Sequence, residues 1–206
     1  MPVFRKIFVA LVFFFSFTVW AQNFTDATDF YLKGDYEKAI AVAREEIDGG
    51  SEEIDSFVVL VWSLIDTGRI HEAFYWAQRG SRLDKYDVRL IESIGEIHYF
   101  LGNNDDALDF FRQYISLATI GEKKPEVYYF MGEIYLRQQK FNHADIAFSQ
   151  AVLFEPFDDT WWVKLGYARE MCGRYMNAVD AYEEALKINS NNSDAISGKK
   201  RAGDRV

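Results

Sequence analysis

The sequence predicts an all-α chain, a solenoid of stacked antiparallel helix hairpins. Three observations carry that expectation. Ala39, Ala73, Ala107, Ala144 and Ala178 recur at intervals of 34, 34, 37 and 34 residues, a period that suits two short helices and a turn. Apolar residues around each alanine fall at helical spacing: Trp162, Leu165 and Gly166 make one face, and Tyr175, Ala178, Tyr182 and Ala185 make another. Between those faces stands Gly173, where a helix can end in a left-handed residue that glycine adopts cheaply.

The first 21 residues read as a targeting segment rather than as part of the fold. Arg5 and Lys6 precede an apolar run from Ile7 to Trp20, and Val19-Trp20-Ala21 offers a cleavage site before Gln22. The run is short of the roughly 20 apolar residues that a membrane span needs. A secretory signal peptide over 1–21 is therefore expected, with an uncleaved N-terminal anchor as the alternative, and an exported chain in the periplasm or cell envelope. Cys172 is the only cysteine, so no internal disulfide can form.

The remaining chain divides into repeats at about 22–53, 54–87, 88–121, 125–158 and 159–192, with 193–206 as a capping helix and tail. Repeat one has a short first helix from about Phe24 to Leu32, capped by Thr25 or Asp26, and turns at Gly34 into a second helix over Glu37 to Ile47. In repeat two, Phe57, Leu60, Val61 and Leu64 form the first face; Gly80 and Ser81, small residues near the end of the second helix, predict loose packing there. Repeat three offers Ile91, Ile94 and Gly95, then Ala107, Phe111 and Tyr114, with His98 on the apolar face as a hydrogen-bonded core residue. A polar segment from Thr119 to Pro125 accounts for the one irregular interval and is expected as an exposed loop. Pro125 suits the first turn of repeat four, whose faces hold Tyr128, Met131, Gly132 and Tyr135, then Phe141, Ala144, Phe148 and Ala151. After repeat five, Ser193-Asp194 starts a short cap that is expected to fray into a solvated basic tail, Lys199-Lys200-Arg201.

The unit from Trp161 to Asn192 resembles the tetratricopeptide repeat, with its Trp-Leu-Gly first helix and Ala-Tyr-Ala second helix; Ser190 stands where the family closes with proline. The resemblance implies a right-handed superhelix with a concave groove lined by first helices. Gly95, Gly132 and Gly166 would let Phe111, Phe148 and Tyr182 fill the space between helices. It also places groove-facing residues on the first helices, offset from the core stripe: Trp62 and Asp66; Glu92, Glu96, Tyr99 and Phe100; Tyr129, Phe130 and Glu133; Tyr167 and Glu170. Chaperone-binding members clamp a peptide's terminal carboxylate with basic and amide side chains, whereas Glu96 and Glu133 hold those positions here.

An aromatic strip edged by carboxylates suits an apolar or basic extended peptide or partner helix. The chain has 23 basic against 32 acidic residues, a net charge of −9 and a pI of about 4.9, which speaks against nucleic-acid binding. His71, His98 and His143 lie in different repeats without metal-ligand spacing, and no nucleophile-elbow, zinc-protease or phosphate-loop motif occurs. The expectation is a non-enzymatic interaction scaffold of an envelope complex, without cofactor or metal, with a self-associating structural subunit as the alternative.

Overall fold

The computed structural model describes residues 26–118 and 123–206, and these form eleven helices with no strand among them. The segment read as a signal peptide lies outside the described residues, as does 119–122 of the expected loop. The helices are α1 Ala27–Leu32, α2 Tyr36–Asp48, α3 Ile54–Asp66, α4 Ile70–Gly80, α5 Val88–Phe100, α6 Asn104–Leu117, α7 Lys124–Arg137, α8 Phe141–Phe154, α9 Asp159–Met171, α10 Tyr175–Ile188 and α11 Ser193–Gly203. They pair in sequence as hairpins, and the architecture is an α-solenoid. Among the described residues no helix is long and apolar enough to cross a membrane.

Local chemistry sets the helix ends. Asp26, Asp87, Asp158 and Asn192 cap α1, α5, α9 and α11, each side chain accepting backbone N–H groups of the first turn. Four of the turns inside hairpins place glycine in the left-handed region: Gly34, Gly68, Gly102 and Gly173, at φ between 73° and 77°. At Gly68 the glycine N–H bonds to Ile65 and the Arg69 N–H reaches back to Leu64, which closes the helix with paired carbonyls. In the α7–α8 hairpin the same geometry falls on Gln139, at φ 57°.

Packing follows from small residues facing rings. A Cβ added to Gly95, Gly132 or Gly166 would stand 2.7, 2.6 or 2.7 Å from Phe111, Phe148 or Tyr182, so each glycine is the seat of the aromatic ring in its own hairpin. Those three rings are fully buried. The loose packing expected at Gly80 does not occur. A Cβ there would lie 2.8 Å from Leu90 Cδ1 and 2.9 Å from Phe57 Cβ, because the small residue lets α4 press on α3 and α5 at once. The core is drawn out along the stack in successive clusters rather than gathered at one centre.

The first helices touch one another along the stack, α1 with α3, α3 with α5 and α5 with α7. Among the described residues second helices make no comparable contacts with each other. First helices therefore line the inside of the curve, and their outward side chains share one surface.

The C-terminal cap differs from expectation. α11 runs unbroken to Gly203, buries Ala195, Gly198 and Ala202, and seats Gly198 on the Tyr182 ring, where a Cβ would come within 2.3 Å. Two of its basic residues are paired as well: Arg201 binds Glu170 through Nε and Nη2, both at 3.1 Å, and Lys199 lies 2.8 Å from Glu183. The cap docks through its small residues on the Tyr182 ring, with these partly exposed ion pairs beside them.

Candidate partner-binding groove

The predicted groove residues all sit on first helices: Trp62 and Asp66 on α3, Glu92, Glu96, Tyr99 and Phe100 on α5, Tyr129, Phe130 and Glu133 on α7, and Tyr167 and Glu170 on α9. One register position, advanced by the repeat interval, carries Trp62, Glu96, Glu133 and Tyr167 in turn. The structure sorts the eleven into three neighbourhoods.

In the middle of the stack the rings form a continuous cluster. Tyr99 packs on Phe130 with centroids 4.7 Å apart and on Phe100 at 5.4 Å; Phe130 meets Tyr129 at 6.1 Å. Phe130 also stacks on Phe111 beneath it, and Tyr129 stacks on Trp161 at 5.2 Å, linking α7 to α9. Phe100 remains half exposed. The Arg137 guanidinium lies 4.2 Å from the Tyr99 ring centre, a cation on an aromatic face. Burial, followed by the nearby charge of Glu133, pushes the Tyr129 phenol up to about 12, so it stays a neutral hydrogen-bonding group.

Towards the N-terminal end, Trp62, Asp66, Glu92 and Glu96 share a cavity of about 230 Å³ with Tyr31, Ile65 and Lys123. The Tyr31 and Trp62 rings are 5.5 Å apart and form one wall. Glu92 is only 3% exposed. It occupies the register position of Val58, a core residue one repeat earlier, so a carboxyl stands where the preceding hairpin buries a methyl-bearing side chain. Burial, then the like charge of Glu96, lifts the Glu92 carboxyl to about 8 against the pull of Lys123. Glu96 is raised too, again chiefly by burial. The Tyr31 phenol is raised by burial and then by the charge and hydrogen bond of Asp66.

The remaining residues are otherwise engaged. Glu133 lies 3.0 Å from Lys164 of α9, which neutralises it. Glu170 accepts from the Tyr182 hydroxyl at 2.9 Å and from Arg201, so it ties α9 to α10 and the cap instead of presenting a free anion. Tyr167 is 40% exposed beside Arg201 and Asp194. Sequence reasoning missed Tyr31, Trp161 and Lys123. Tyr31 was findable: it lies two 34-residue periods before Tyr99.

Residues 125–158 and 162–192 match the tetratricopeptide repeat family model. The mouse DnaJ homolog subfamily C member 7 is 24% identical over 186 residues, covering 85% of this chain and 38% of the mouse protein. The chain thus spans well under half the length of the curated relatives it matches. Among solved structures, Pseudomonas aeruginosa PilF superposes with a TM-score of 0.74 at 14% identity, over 86% of this chain and 80% of that one. YrrB, described as a TPR protein with an unusual peptide-binding site, gives 0.69 at 14% identity over 78% and 81%. Two units of this chain, 125–158 and 162–192, are thus tetratricopeptide repeats, and the stack has the fold of tetratricopeptide-repeat solenoids.

Proposed function

We propose that this protein is a non-enzymatic interaction scaffold that holds an extended peptide or partner helix, apolar or basic in character, in its acidic aromatic concave groove. The observation that supports this best is the aromatic surface on the first helices, from Tyr31–Trp62 at one end to the Tyr99–Phe100–Phe130–Tyr129–Trp161 cluster. Rings of this kind supply large contact area at small entropic cost and dominate binding hot spots. In this reading the scaffold works in the cell envelope or periplasm, a proposal supported by the basic n-region and apolar run before Gln22.

The test is affinity capture from the native envelope fraction with residues 22–206, beside a Trp62→Ala/Tyr99→Ala/Tyr129→Ala variant that keeps its helical circular dichroism. A partner held by the wild type and lost by the variant is expected. Equal capture by both would move binding away from the groove. Recovery of the chain alone, with a mass that rises with concentration, would instead favour a self-associating subunit.

A further inference from the structure

The cavity at the N-terminal end of the groove has a feature that the rest of the aromatic surface lacks. Glu92 lines it nine-tenths buried and without a hydrogen bond or ion pair to any described side chain. Such a group costs stability unless something completes it. Trp62 lines the same cavity, and its indole N–H is buried without an acceptor. One site therefore lacks a cation and a hydrogen-bond acceptor together.

We propose that this cavity is a subsite for one arginine residue of a peptide partner, its guanidinium between the Glu92 and Glu96 carboxylates and its backbone carbonyl on the Trp62 indole N–H. The proposal rests on the groove reading above and names the partner's chemistry. At about 230 Å³ the cavity falls below the roughly 300–1,000 Å³ typical of small-molecule pockets, so it has room for a single side chain. Carboxylates beside the Trp62 and Tyr31 rings favour guanidinium over ammonium, since the planar fork binds carboxylate oxygens in pairs and stacks on aromatic faces. Among the described residues no group of three or more His, Cys, Asp or Glu side chains is arranged to hold a metal ion. The charged and titratable groups around Glu92 are Asp66 on α3, Glu96 on its own helix, Lys123 before α7, Glu126 on α7 and the neutral Tyr31 phenol on α1. Lys123 is the one cation among them, and it stands exposed at the rim.

The experiment titrates N-acetyl-arginine amide into the chain and follows the indole N–H resonance of Trp62, identified by its loss in Trp62→Phe. A saturable shift is expected, with a Kd on the order of 1–10 mM for a single anchored residue. N-acetyl-norleucine amide should give none. Glu92→Gln keeps the side-chain shape and should weaken binding roughly tenfold or more. Binding should tighten between about pH 6 and pH 8, as Glu92 gives up its proton, and the Glu92→Gln variant should lose that dependence. Equal shifts from the norleucine probe, no saturation, or unchanged affinity in Glu92→Gln would each overturn the proposal. The probe needs no natural partner. A surviving arginine shift with groove-independent capture would sink the groove reading alone, and the reverse pattern would sink only the arginine subsite.

Discussion

Gln139 holds a backbone conformation that its side chain resists. Its N–H bonds to Leu136 and the Lys140 N–H to Tyr135, the same closing pattern that glycine makes in other hairpins. A side chain in the left-handed region costs about 1 kcal/mol or slightly more relative to glycine. Gln139→Gly should therefore stabilise the fold by about 1 kcal/mol, seen as a Tm rise of roughly 2–4 °C; an unchanged or lower Tm would refute it. Glu92 acts through charge instead. Its folded-state value of about 8 lies above the ordinary 4.5, so the folded chain holds a proton that the unfolded chain releases. Stability is then highest below pH 4.5 as far as this group is concerned, and falls as pH rises from about 4.5 to 8. Glu92→Gln should add on the order of 3–5 kcal/mol at pH 8 and much less at pH 5. Denaturant unfolding at the two pH values checks it, and a pH-independent gain would count against buried charge as the cause.

At the scale of the helix pair, one glycine and one ring set the spacing. Gly132 on α7 receives the Phe148 ring of α8 with no space for a methyl group. Gly132→Ala should cost about 1–3 kcal/mol by overpacking, and a smaller ring position, Phe148→Leu, should recover part of that loss in the double variant. Additive losses would show that the two sites are not coupled. Asp145 adds a polar tie between neighbouring hairpins. It is buried on α8 and receives Arg169 of α9 at 3.1 Å together with Arg174 at the entry to α10. This pair of contacts fixes where the fifth hairpin sits on the fourth, which carries Tyr129 against Trp161 and extends the aromatic surface across that joint.

The whole molecule is a one-dimensional stack, so its ends matter more than in a globular core. α11 covers Tyr182 through Gly198 and pairs Arg201 with Glu170. Gly198→Leu should undock this helix, and amide exchange should accelerate first in α10 and only weakly in α3 and α5. Uniform acceleration along the chain would mean that the stack unfolds as one unit. The repeat period, the turn glycines and the ring-on-glycine pairs were all legible in the sequence, because they are local patterns of 3.6-residue periodicity and backbone permissiveness. The family resemblance, carried along the repeats, put the eleven candidate residues on first helices. What it could not decide was the environment of each. Glu92, Glu133 and Glu170 read alike as carboxylates at groove positions, yet one is buried beside a cavity, one pairs with Lys164 and one binds the cap. Neither could it foresee that the basic tail would dock, since Glu170 and Arg201 lie 31 residues apart and meet only once the hairpins stack. The sequence by itself determined the repeating hairpin, through periodicity within each unit. The charge state and availability of each groove side chain were decided by the tertiary structure, because desolvation and pairing depend on neighbours contributed by the next repeat.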